Sequence, residues 1–121
     1  MSYTFTKVLN ASMSDAVERV TAALAAKGFG VLTTIDVKAT LKKKLDVDFR
    51  PYVILGACNP EFAYQALQHE DKIGAMLPCN VVVQELDKDR VEVSAVAPVA
   101  SMQAVANPKL RAVATEVRDR L

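Results

Sequence analysis

Polar and apolar positions alternate from the start of the chain. Tyr3, Phe5 and Leu9 share one parity with Lys7, while Thr4, Thr6 and Asn10 hold the other. A period of two predicts a half-buried first strand. From Ser14 or Asp15 the period lengthens. Val17, Val20 and Leu24 fall on one helical face, and Asp15 and Glu18 have the reciprocal spacing of a capping box. Gly28 follows the last turn, where a left-handed residue satisfies the final carbonyls and lets Phe29 fold back onto the helix. Phe29, Val31, Ile35 and Val37 then alternate as a second strand, with Thr33 on the same inward face. Asp36 is placed to cap a short helix carrying Val37, Leu41 and Leu45 one turn apart, with its lysines outside and a break at Arg50 and Pro51.

Residues 52–58 are almost wholly apolar, the pattern of a strand covered on both faces. Asn59 and Pro60 predict a helix start: the Asn side chain caps an orphan amide, and Pro stands where no amide hydrogen is needed. Phe62, Ala63, Ala66 and Leu67 make that helix's buried face, to about His69. Residues 76–86 read as a strand entered through Pro78, which points to an edge strand or to one beginning there. Residues 87–90 form a polar hairpin loop. The chain returns antiparallel over 91–96, with Glu92 and Ser94 facing away from Val91, Val93 and Ala95. Residues 98–106, small and apolar, suit no more than a helical turn. Asn107 and Pro108 repeat the helix start, and the final helix is expected to bury Leu110, Val113, Ala114, Val117 and Leu121.

The order is β-α-β-(short α)-β-α-β-β-α, which predicts an α+β fold: a two-layer sandwich of a mainly antiparallel sheet of about five strands with helices packed on one face. The hairpin at 87–90 argues against a fully parallel dinucleotide-binding sheet, and no Gly-rich phosphate loop is present. At 121 residues the chain is expected to form a single domain, 1–121. Half the residues are hydrophobic (51%) and about a quarter charged (24%), enough for a core without staples. Fifteen Lys and Arg against fourteen Asp and Glu leave a net charge of +1. That lacks the cationic excess of a phosphate-neutralising surface, so no nucleic-acid partner is expected. The N-terminus has no signal-peptide core, and the apolar run 52–58 is too short to cross a bilayer. The expectation is a cytoplasmic protein without a membrane partner, whose two cysteines are reduced.

Gly28 to Gly30, Ile35 and Asp36 with the lysine-rich helix after them, the run Ile54 to Pro60 ending in Cys-Asn-Pro, and Leu77 to Val81 containing Pro-Cys-Asn together carry a family likeness. The sequence resembles the bacterial and archaeal family known as domain of unknown function 302, over nearly its whole length. The resemblance implies a fold akin to one repeat of the TATA-binding-protein fold, with a curved antiparallel sheet backed by helices, and it implies a homodimer. It implies neither DNA binding nor any activity, since fold and function separate readily.

Cys58 ends a strand directly before a helix N-terminus, where amides and the helix dipole lower a thiol pKa. Cys79 opens the next strand, and the connection between them is long enough to return to the same end. The two are therefore a candidate thiol site, for a reversible disulfide or for handling sulfur or an electrophile. The plainer reading, Cys58 as a small buried hydrophobe, carries more weight because only one cysteine has an activating feature. Asn59, Pro60 and Asn80 are candidate ligand-binding residues whose first duty is capping and turn geometry. No catalytic residue is assigned, and whether the protein is an enzyme stays open. No metal site is read, because Cys58, Cys79 and His69 lack zinc-ligand spacing, and no cofactor is expected. His69 is read as a dipole-stabilised surface group. Lys38, Lys42, Lys43, Lys44 and Arg50 are read as a solvated face, with anion binding the lesser option. The favoured function is a binding module for a small molecule or a protein. The alternatives are a thiol-based redox or sulfur-handling protein using Cys58 and Cys79, and a structural partner in an assembly.

Overall fold

A computed structural model describes residues 4–96 and 118–119. Its elements are β1 (Thr4–Leu9), α1 (Met13–Ala26), β2 (Gly30–Asp36), α2 (Val37–Leu45), β3 (Tyr52–Cys58), α3 (Pro60–His69), a 3-10 turn (Ile73–Met76), β4 (Cys79–Asp87) and β5 (Arg90–Val96). The strands form one antiparallel sheet in the order β1-β5-β4-β3-β2. This is the α+β arrangement expected. The stretch 98–106 and the final helix expected from residue 107 lie outside the described residues, apart from the helical Arg118 and Asp119.

α1 begins slightly earlier than its sequence signal at Ser14 or Asp15, because Ser12 caps it by accepting from the Asp15 amide at 3.3 Å. Asp15 therefore lies in the first turn and Glu18 in the second, and the pair does not form the capping box. The helix ends as expected. The Gly28 amide donates to the Ala25 carbonyl at 3.0 Å and the Phe29 amide to that of Leu24 at 2.8 Å, the paired bonds of a Schellman cap. Gly28 has φ of 87°, and a Cβ there would lie 2.9 Å from Asn59 Nδ2, so both backbone and space demand glycine.

α1 packs across β2 and β4. Ala16 meets Leu55 of β3, Val81 and Val83 of β4 and Val91 of β5 in one buried cluster. α3 and the turn after it supply Phe62, Ala66 and Ile73 to a second cluster with Phe29, Ala57 and Cys79. Strand alternation then sends Ile54, Val82, Gln84, Glu92 and Ser94 to the face away from α1.

Three expectations need correction. Thr33 does not share the inward side with Val31. A register shift between them pairs Val31 with Ala57 but Thr33 with Gly56, so Thr33 and Ile35 turn to the far face and Ile35 is 47% exposed. Leu67 is 44% exposed, because α3 uses only Phe62 and Ala66 as its fully buried contacts. The strand expected from Met76 begins at Cys79, after the turn and Pro78, and β4 is the central strand rather than an edge. β3 is sealed on both faces only at Leu55, Gly56 and Ala57. The 87–90 loop tightens to a two-residue turn closed by the Asp87 and Arg90 pair, with Arg90 Nε 2.7 Å from Asp87 Oδ2.

Candidate functional site

The two cysteines lie on neighbouring strands. Ala57 faces Cys79 across the β3–β4 ladder, so Cys58 is one residue off its diagonal. Both line one cavity with Phe29, Asn59, Phe62 and Leu77. The returning connection thus does bring them to a common pocket. That pocket is almost wholly apolar and has a volume of about 20 Å³, room for a single water.

The activating feature expected at Cys58 is already in use. Asn59, itself buried, turns its Oδ1 to accept from the Phe62 amide at 3.2 Å, and Pro60 brings no amide at all. Burial pushes the Cys58 thiol above its ordinary pKa. Cys79 is raised too, first by burial and then by the neighbouring Cys58 sulfur, since two thiolates in one apolar pocket repel. Pro60 is exposed in the first turn of α3 and does not line the pocket. Asn80, paired with Gly56, points to the other side of the sheet. The candidate residues therefore divide: Cys58, Asn59 and Cys79 converge, and Asn80 belongs elsewhere.

Asn80 lies on a second concavity, of about 380 Å³, on the sheet face away from α1. The ladders order it in rungs. Tyr52 pairs with Gln84 and Gln84 with Glu92; one rung along, Val82 pairs with Ser94 and Ser94 with Thr6; Thr4 pairs with Val96. Along these rungs runs a chain of side-chain hydrogen bonds. Arg50 Nε donates to Gln84 Oε1 at 2.9 Å, and Gln84 Nε2 donates to Glu92 Oε1 at 3.3 Å. From the other side the Ser94 hydroxyl donates to the same Glu92 oxygen at 3.5 Å, and Thr6 Oγ1 lies 3.1 Å from Ser94 Oγ. Because Ser94 has one proton and gives it to Glu92, Thr6 donates to Ser94. Thr4 continues the chain at 3.2 Å. From Arg50 on one side and Ser94 on the other, the donors point toward one carboxylate.

Sequence reading reached this face only in part. The Thr4 and Thr6 alternation and the outward Glu92 and Ser94 were visible, but their meeting depends on β5 lying between β1 and β4. Three members of the basic cluster are engaged locally: Lys42 Nζ is 2.9 Å from Asp46 and 3.8 Å from Asp48, Lys38 donates to the Phe49 carbonyl, and Arg50 lies over the Phe49 and Tyr52 rings. Among the described residues, no three His, Cys, Asp or Glu side chains converge as a metal site, and no helix is long and apolar enough to cross a membrane.

Residues 5–121 match the family described as "Domain of unknown function DUF302". Among solved structures the chain is similar to an uncharacterized conserved protein of that description from Bacillus stearothermophilus. The two share 29% identity and a TM-score of 0.90, over 99% of this chain and 93% of that one. No curated protein matches the chain.

Proposed function

Because this chain belongs to the family described as domain of unknown function DUF302, whose description carries no chemistry, we propose its function from its own geometry: a binding module whose ligand surface is the sheet face away from α1. The observation that carries this reading is the hydrogen-bonded concavity there. Its volume of about 380 Å³ lies within the range of small-molecule sites, and an apolar floor of Val82 and Val96 is flanked by convergent polar groups. Asn80 serves this site. Asn59 is a cap. The cytoplasm as its compartment and the homodimer implied by the family resemblance remain part of the proposal.

A second reading, thiol-based redox or sulfur handling by Cys58 and Cys79, is favoured by one observation: both line a single cavity. Two others oppose it. Burial raises both thiols, and the nucleophile is the thiolate. Alkylation by iodoacetamide against pH distinguishes the two readings. Both cysteines should react with midpoints above that of a free peptide thiol, Cys79 the later. A Cys58 midpoint below neutral pH would restore the thiol reading. The same shifts fix a sign for stability. A thiol held protonated by the fold binds more protons folded than unfolded, so its contribution is complete below the unfolded thiol pKa and declines as pH rises past it.

A further inference from the structure

Resting on the reading of this face as the ligand surface, we propose that its ligand carries a small organic cation, an ammonium or guanidinium group on a short apolar stem, received by Glu92. Among the described residues lining the concavity, only Glu92 has a carboxylate, and none has a cationic side chain. Its Oε1 already accepts from Gln84 and Ser94. Those two donors fix the carboxylate and leave its second oxygen as the charged acceptor for an incoming donor. Gln84 is itself held by Arg50, and Ser94 by Thr6, so the carboxylate is oriented from both sides before any ligand arrives.

The surroundings discriminate by charge. An anion would meet Glu92 with no cationic side chain among the described lining residues; the Arg50 guanidinium, at the rim, is engaged by Gln84 and by the rings of Phe49 at 4.5 Å and Tyr52 at 5.6 Å. A cation finds one carboxylate, with Asn80 and Thr4 beside the same concavity. The half-buried Val82 and Val96 provide apolar contact for the stem. The occupant inferred from this charge complementarity is a cationic small molecule. A second copy of the chain is the competing occupant.

The test is a titration of the protein, amide NMR shifts being read for each residue, with n-butylammonium and n-butylguanidinium against 1-butanol and butyrate. Both cations should shift Thr6, Gln84, Glu92 and Ser94 with Kd on the order of 1 mM. Butanol and butyrate should leave these residues unshifted, and added salt should weaken the binding of both cations. Glu92→Gln keeps the size and the bond from Gln84, and should weaken both cations about tenfold. The salt response of the native protein provides the same reading if that variant folds poorly. Butanol or butyrate binding there as well as the cations would overturn the cation and leave the ligand face standing. Silence from all four probes would overturn both. Shifts of these residues on dilution without any probe would assign the face to a second copy and overturn the cation.

Discussion

Replacing Phe29 by alanine should remove about 3–5 kcal/mol of folding stability, the cost of deleting a fully buried aromatic ring. Phe29 is 2% exposed and packs with Ala57, Phe62, Ala66, Ile73 and Cys79. Its backbone closes α1 through the bond to the Leu24 carbonyl, and its ring lines the cysteine cavity. It therefore ties α1, α3 and the centre of the sheet together. A domain of this size is stable by only about 5–15 kcal/mol, so the variant should lose a large fraction of that margin. A shift of the urea midpoint measures it. The same substitution opens the cavity, so Cys58 and Cys79 should alkylate faster than in the native protein. Tyr64→Ala, at a side chain 65% exposed on α3, should stay within about 0.5 kcal/mol of the native value.

Gly56→Val should cost about 3 kcal/mol, by overpacking rather than by a cavity. Gly56 is buried in β3 between β2 and β4, and a Cβ there would collide with Thr33 Oγ1 and come within 2.7 Å of Pro78 Cγ. Thr33 can turn its hydroxyl aside. Pro78 cannot, because its ring is fixed to the chain just before β4. The strain therefore remains chiefly with Pro78, and Gly56→Val combined with Thr33→Ala should recover less than half the loss in urea denaturation. Full recovery would mean that Thr33 alone limits the space.

Much of the fold could be read from local chemistry. Gly28 and Phe29 announced the end of α1 because the Schellman cap needs only a left-handed residue and an apolar one after it. Asn59 and Pro60 announced α3 for an equally local reason. What was hidden depended on neighbours distant in the chain. The bulge between Val31 and Thr33 adds a residue to one strand only, and an alternating pattern does not record which partner it skips. Leu67 follows the helical period of α3, but the fully buried contacts of that helix are Phe62 and Ala66. Pro78 marked a strand start correctly yet gave no indication that β4 would lie in the middle.

The site divides along the same line. Two cysteines in motifs attract notice, and both do line one pocket; the size and apolar walls of that pocket depend on Phe29, Phe62 and Leu77 arriving from three places in the chain. Asn80 belongs to the same motif as Cys79, yet adjacent strand residues face opposite ways, so it serves the other side of the sheet. The row from Arg50 through Gln84 and Glu92 to Ser94 and Thr6 joins residues from both ends of the chain. It becomes visible only when the strand order is known.

A screen of small fragments, mapped by amide NMR shifts onto the native protein, tests most directly which side of the sheet does the binding. The hits should gather at Thr4, Thr6, Asn80, Gln84, Glu92 and Ser94, and should persist in the Cys58→Ser, Cys79→Ser double variant. Hits gathering instead at Cys58, Phe62 and Cys79, and lost when the sulfurs are replaced, would contradict the account.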